Sequence, residues 1–460
     1  MPEIQIGSDQ MKKLRQIWGN LRSSFWFVPS LMVAFSITLA VVLIEADSAG
    51  LNQWLSLWPQ MFGVDAEGAR QMLSTLAGSM MTVIGITFSM TLLALVLASG
   101  QYTSRILRNF MRNSVTQTTL GVFASIFAYC LIVLRSIRGG GGVDAFVPSL
   151  AVFCAFVMSL GGVGVLIYFI HHIASSIQAS SIIASVTQET NAAIDRLLPI
   201  KLDEELDENE DRHQILESLD ERTWYPVPAA ESGYVLSVNN NALLCLAGDN
   251  RTIVRMEHGI GAFVVQDTAL VSLALTYPPD QKIINDLNAA YSIGRHRTVD
   301  QDPTFGIRQI VDMAIKALSP GVNDTSTAVM CVDYLTSIMA RLAGRQFPPL
   351  YRYEGETLRL IAIVPSFEDL LAESFDQIRS NAKENVAILV RMLGAIETIG
   401  SLTICPSRFR ALDQQLQLIA ELTARCFESS HDRVRLEMRL SKVRETLEAQ
   451  SVLPALLDKG

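Results

Sequence analysis

Apolar and polar positions divide this chain into two halves with different rhythms. In the first 190 residues, four stretches run without Asp, Glu, Lys or Arg: 23–44, 71–104, 113–134 and 145–188, each at least 22 positions long. About 20 predominantly apolar residues suffice to cross a bilayer as a helix, and only helices and closed barrels satisfy their backbone there. Barrel strands would show alternating segments of about 10 residues instead. The pattern therefore predicts an α-helical membrane domain of four transmembrane helices over residues 1–174.

The first helix, about Phe25–Ile44, opens on the aromatic cluster Phe25-Trp26-Phe27 beside Arg22, an interfacial anchor. The loop Ala46–Arg70 carries Trp54, Trp58 and Phe62 among polar residues and reads as a short amphipathic surface helix. The fourth stretch is 44 residues long. As one helix it would reach about 66 Å, roughly twice the hydrocarbon thickness. It turns polar after Tyr168, so a helix is expected to leave the membrane near His171 and continue into the cytosol, coupling the two halves mechanically. Residues 175–231 then read as a helical extension and linker, with the acidic run Asp203–Asp211 as a solvated stretch.

Beyond Pro226 and Pro228 the rhythm shortens to β-rich runs at Gly233–Val238, Thr252–Met256, Ala262–Val265 and Leu270–Leu275. A small β-barrel or sandwich is expected over 232–278. From Pro279 onward helical periodicity returns, giving helices near 280–293, 305–318, 324–343, 366–380, 382–401, 406–428 and 431–449, with one strand at Leu358–Val364. Residues 279–460 are thus predicted to be a mostly helical cytoplasmic domain, the whole second half being α+β.

Charge sets the orientation. The net charge of −9 hides a basic first half, with ten Lys/Arg against seven acids up to Ala174. Lys12, Lys13, Arg15 and Arg22 in the N-terminal arm and Arg105, Arg108 and Arg112 after the second helix outnumber Arg70, Arg135 and Arg138 on the other side. Both termini are therefore expected in the cytoplasm of a bacterial inner-membrane protein. Arg105, Arg108 and Arg112 repeat at helical spacing and read as a membrane-surface segment, or as a vestibule that attracts anions. Six cysteines stand singly without CxxC spacing, so neither a zinc nor a redox site is indicated, and all six read as small buried side chains. His171 and His172 are adjacent and point about 100° apart, which suits an interface better than joint metal ligation. No metal, cofactor or nucleic-acid partner is expected.

Two polar features carry candidate chemistry. In the second helix Ser79, Thr82, Ile86, Ser89, Leu93 and Val96 recur every three or four residues, beside Ser74, Gly78 and Gly85. Such a stripe permits close helix packing with hydroxyls bonded back to their own carbonyls. Alternatively it lines a narrow aqueous path in a homo-oligomer. The second feature runs from Gly294 to Ala328 and includes Arg295, His296, Arg297, Asp302, Arg308, Asn323, Asp324 and Thr327. Ser319-Pro320-Gly321 stops one helix, and Asn323 or Asp324 caps the next. Free amides there, with the three arginines near, would hold a small anion. In the other reading Asp302, Asn323 and Asp324 take the arginines into an internal polar network. No nucleophile–base triad, HExxH, Walker loop or dinucleotide fingerprint occurs, so an enzyme is not expected; His296 with Asp302 is the one pair suited to acid–base work.

The stretches ASGQYTSRILRNFMR (98–112), FIHHIASSIQASSI (169–182), GRHRTVDQDPTFGIRQIVDMAIKALSPGVNDTSTAVMCVDYL (294–335) and FDQIR (375–379) resemble a bacterial membrane-protein family known as domain of unknown function 2254. Family members read QFSPR where this chain has Gln101-Tyr102-Thr103-Ser104-Arg105, and NDP-x-TA where it has Asn323-Asp324-Thr325-Ser326-Thr327-Ala328. They read PGDFV at Gly259-Ile260-Gly261-Ala262-Phe263, and the Asp missing here speaks against a cation in that loop. The resemblance implies a fold and a membrane location and brings no activity with it. The expectation is a homo-oligomeric channel or pore-like protein whose partners are the lipid bilayer and an ion. The rival is a non-conducting membrane sensor or scaffold that binds a small anion or a protein.

Overall fold

The computed structural model describes residues 26–49, 65–101, 114–138, 146–176, 178–199, 219, 222–403 and 405–457. It separates into two compact units, 1–178 and 179–460. The first holds four apolar helices long enough to cross a membrane: α1 (Phe27–Ser48), α2 (Ala66–Gln101), α3 (Ser114–Ser136) and α4 (Ser149–Ser176). Helix α3 packs against the other three. Phe123, Ile126, Tyr129 and Val133 are wholly buried on it. Small residues set the approach, as lipid supplies little hydrophobic drive between helices: Gly121 faces Pro29 and Met32, and Gly162 faces Phe123 and Ile126. Polar groups tie the ends. Buried Asp47 at the end of α1 accepts from the amides of Leu150 (3.0 Å) and Ala151 (3.2 Å), capping the start of α4. Tyr129 donates to the Ala151 carbonyl at 3.0 Å.

Two helices are described within the 44-residue charge-free stretch. Helix α4 ends at Ser176 and a new helix, α5 (Ala179–Leu197), starts at Ala179. The surface loop with Trp54, Trp58 and Phe62, and the acidic run 203–211, lie outside the described residues.

In the second unit the expected barrel is corrected. Five strands form an open sheet in the order β1 (Tyr225–Pro228), β5 (Ala269–Leu273), β3 (Val254–Met256), β8 (Thr357–Ile361), β7 (Tyr351–Glu354). Three more form a second sheet in the order β4 (Phe263–Val264), β2 (Gly233–Val238), β6 (Tyr291–Gly294). Neither closes, and both recruit strands from beyond residue 278. Only β3 with β8 is parallel; β1, with its two prolines, is tolerated because it is an edge strand. Helix α6 (Asn240–Asp249) interrupts the β-rich segment, capped by the Asn239 side chain on the Ala242 amide and turning Leu243 and Ala247 inward. These two residues join Val235, Val254, Val271 and Leu360 in one core.

Helix α7 (Gln281–Ala289) stops before β6, so the helix expected over 280–293 ends four residues early. The helical part follows the predicted rhythm closely: α8 (Pro303–Leu318), α9 (Thr325–Ala343), α10 (Phe367–Ala382), α11 (Val386–Ser401), α12 (Pro406–Cys426) and α13 (Ser430–Leu457). Helix α8 packs on α5, α9 and α10, while α11 lies against α9 and α13. Side-chain caps start most of these helices, among them Asp302, Asp324, Ser366 and Asn385.

Candidate functional site

All six residues of the second-helix stripe are exposed in the first unit. Ile86, Leu93 and Val96 show 52, 59 and 66 % of their surface, and Ser79, Thr82 and Ser89 stand on the same side. The face of α2 turned into the bundle is a different one: Ala69, Leu73, Ala77, Met80, Thr87, Thr91 and Ala94. Nothing lies within 4 Å of a Cβ built at Gly78 or Gly85. Among the described residues no helix uses these glycines for close approach. The hydroxyls bond inward to their own helix, Ser79 to the Leu76 carbonyl at 2.8 Å and Thr82 to that of Gly78 at 3.1 Å. What remains is an outward seam spaced alternately by three and four residues, the heptad spacing with which two helices interlock.

The Gly294–Ala328 region folds into local networks. Asp302 is 4 % exposed and caps α8, accepting from the Phe305 amide at 3.1 Å. Its other oxygen receives Arg297, through Nε at 2.9 Å and a terminal nitrogen at 2.7 Å, and the guanidinium lies 5.0 Å over the Phe305 ring. Burial lifts the Asp302 carboxyl above the usual carboxylate range, against the opposing pull of Arg297 and the Phe305 amide. Gly261, with φ +86°, closes over this pair: an added Cβ would stand 2.7 Å from both the Arg297 terminal nitrogen and an Asp302 oxygen. The loop that lacks the family's Asp is thus packed against an internal ion pair.

Arg308 bonds Glu373 at 2.9 Å and Asp312 at 3.1 Å. Its guanidinium is half-desolvated, yet these two carboxylates hold its proton on more firmly than usual. The charge of Glu373 adds to the rise at Asp302. Asp324 serves its own helix, accepting from the Thr327 amide at 3.0 Å and the Thr327 hydroxyl at 2.5 Å. Those bonds hold its carboxyl below the usual range. Asn323 takes the left-handed turn at φ +48° ahead of that cap, and Asn385 at the start of α11 donates to Thr325 at 2.9 Å. Arg295 and His296 point to solvent. Arg297 and Arg308 each sit on carboxylates of their own, while Asp324 and Thr327 form a separate cap.

Sequence reasoning missed three participants. Glu373 lies two residues before the FDQIR segment and was legible only through it. Asp195 on α5 takes a bidentate bond from Arg341 and a further one from Arg345, and the first of these holds its carboxyl below the usual range. Arg408 is buried and caps the end of α9, donating to the carbonyls of Ala343 (2.7 Å) and Arg345 (2.9 Å) between the rings of Phe347 and Phe367. Cys245 is exposed, which corrects the reading of all six cysteines as buried. Burial pushes the Cys331 thiol up to about 12. His172 contacts the Ser176 hydroxyl at 3.3 Å and stacks near Tyr168. Among the described residues no group of three or more His, Cys, Asp and Glu is placed to hold a metal ion. Arg105, Arg108 and Arg112 lie outside the described residues.

Four membrane-length helices followed by a larger mixed helix-and-sheet unit define a multi-span membrane protein. The chain belongs to the family described as "Predicted membrane protein (DUF2254)", which matches residues 22–398. An uncharacterized protein of Mycobacterium bovis and one of Mycobacterium tuberculosis are each 29 % identical to it, over 97 % of this chain and 85 % of theirs. No solved structure matches.

Proposed function

We propose that this is a homo-oligomeric, pore-like protein of the bacterial inner membrane, with both termini in the cytoplasm and the second unit as its regulatory part. One observation carries the reading. Helix α2 leaves a heptad-spaced face of Ser79, Thr82, Ile86, Ser89, Leu93 and Val96 outside the bundle, with open glycines beside it. In lipid, small and hydroxylated residues gather where helices approach closely or where water passes. Copies of α2 around an axis provide both. The rival sensor reading draws less support, because Arg297 and Arg308, which would bind its anion, already carry carboxylates.

Purified protein in planar bilayers is expected to conduct, and Ser89→Trp to reduce the current severalfold by filling the axis. Absence of current under voltage, tension and pH change would defeat the proposal.

A further inference from the structure

Strand β7 is one edge of the five-stranded sheet, and Arg352 stands half-buried in its middle. It lies opposite Leu360 of β8, and directly opposed residues share a face of a sheet. Leu360 belongs to the core, so the stem of Arg352 leaves the edge on the core side. The cationic head there has no counter-ion. Among the described residues no ion pair or hydrogen bond reaches it, and its Nε is closed off from solvent without an acceptor. Burial pulls the guanidinium below its ordinary pKa, and no acidic neighbour pulls it back. Every other arginine of the second unit that is buried or half-buried reaches an acceptor. Arg408 takes carbonyls, and the rest take carboxylates, as Arg345 takes Asp195 and Arg379 takes Asp376. On the β7–β8 hairpin itself, Glu354 is engaged by Arg359 at 3.1 Å.

A guanidinium drawn out of water is costly unless an opposite charge meets it, and it stays protonated in any protein surrounding. Of the three Arg352 nitrogens only Nε is closed off. The two terminal nitrogens remain open, side by side, in the planar fork that matches two oxygens on one centre. We propose that the terminal nitrogens of Arg352 bind a small oxyanion, a phosphate or carboxylate group, which supplies the missing negative charge. The apolar stem is held by the core and the fork is presented at the sheet edge, so the anion meets a group already fixed in place. The site uses neither the α2 face nor the arginines at 297 and 308, which already carry carboxylates. It therefore stands whether or not α2 lines a pore.

The test is binding of inorganic phosphate to the full chain in detergent. It is read from the broadening of the phosphorus NMR line, and from the melting temperature as phosphate replaces chloride at constant ionic strength. Arg352→Met keeps an apolar stem and removes the charge. It is expected to weaken phosphate binding roughly tenfold and, in chloride, to melt no lower than wild type, because a costly unpaired charge is gone. Arg352→Lys keeps the charge without the fork and is expected to bind phosphate with intermediate strength. Arg295→Met removes a solvent-facing arginine and is expected to leave binding unchanged. Acetate in place of phosphate reads the carboxylate class, and a response to either anion that Arg352→Met abolishes upholds the site. Equal responses of wild type and Arg352→Met to both anions would overturn it. So would a loss at Arg295→Met as large as that at Arg352→Met, which would mean diffuse attraction to positive charge. A melting temperature of Arg352→Met well below wild type in chloride would also overturn it, since the guanidinium would then have its partner within the chain.

Discussion

The α2 seam and the Gly294–Ala328 region are both runs of polar residues set among apolar ones, and they meet opposite fates. In the second unit the polar groups turn inward and find each other. Arg297 settles on Asp302 under the Gly261 backbone, and Arg308 on Asp312 and Glu373. In the first unit the Ser79 and Thr82 hydroxyls bond to carbonyls of their own helix and the face stays outside. A buried guanidinium needs an acceptor from elsewhere in the chain, whereas a hydroxyl on a helix has a carbonyl one turn away. Long charged groups therefore reveal tertiary contacts, and short neutral ones leave their face free for another molecule.

The largest blow to this contrast would come at Asp302. Asp302→Ala strips the cap of α8 and leaves Arg297 facing a half-buried void, so unfolding in denaturant should show a loss of about 4 kcal/mol. A loss below about 1 kcal/mol would mean that Arg297 simply turns to water, and the network is then a surface feature. Gly261→Ala is the next test, through its φ of +86° and its tight approach to the pair. It should cost about 2 kcal/mol. Gly355→Ala, at φ +62° with nothing within 4 Å, should cost about 1 kcal/mol, from backbone strain alone.

Asp324→Ala should cost about 1 kcal/mol at neutral pH. The Asp324 carboxyl is held below its ordinary value, so its contribution is present above the ordinary carboxylate range and disappears as pH falls through the lowered value. Melting curves of wild type and variant should then converge in acid. Asp302, lifted by burial, has the opposite slope: its contribution is complete below the ordinary carboxylate range and diminishes as pH rises through the raised value. The smallest expected effect sharpens the comparison from the other side. Ser79→Ala and Thr82→Val should change the stability of the dispersed chain by less than about 0.5 kcal/mol, as at other exposed positions. A loss of 2 kcal/mol would show that the stripe packs within the chain.

Much of the fold was legible along the chain. Strand β2 falls on Gly233–Val238 as expected, and α9 within one residue of its predicted start, because alternating and helical periods are local properties of consecutive side chains. Where two elements of different type adjoin, the pattern failed. Tyr291–Gly294 continues a helical rhythm but pairs with β2 as a strand, and Tyr351–Glu354 becomes a strand through its hairpin with β8. At the candidate sites the residue types stood out, as with Arg297, Arg308 and Asp324, but their partners did not. Asp195 meets Arg341 from 146 positions away, a separation that no local pattern spans.

By itself the sequence determined four membrane-length helices, the cap at Asp324 and the helical order of the C-terminal half. Each follows from neighbours within a few turns. Only the tertiary structure decided that the β-rich segment opens into two sheets sharing distant strands, that Gly261 closes over an arginine–carboxylate pair, and that the α2 seam faces outward. Those outcomes depend on which surfaces meet once the chain is compact, and that is set by packing and by the need of buried charges for partners.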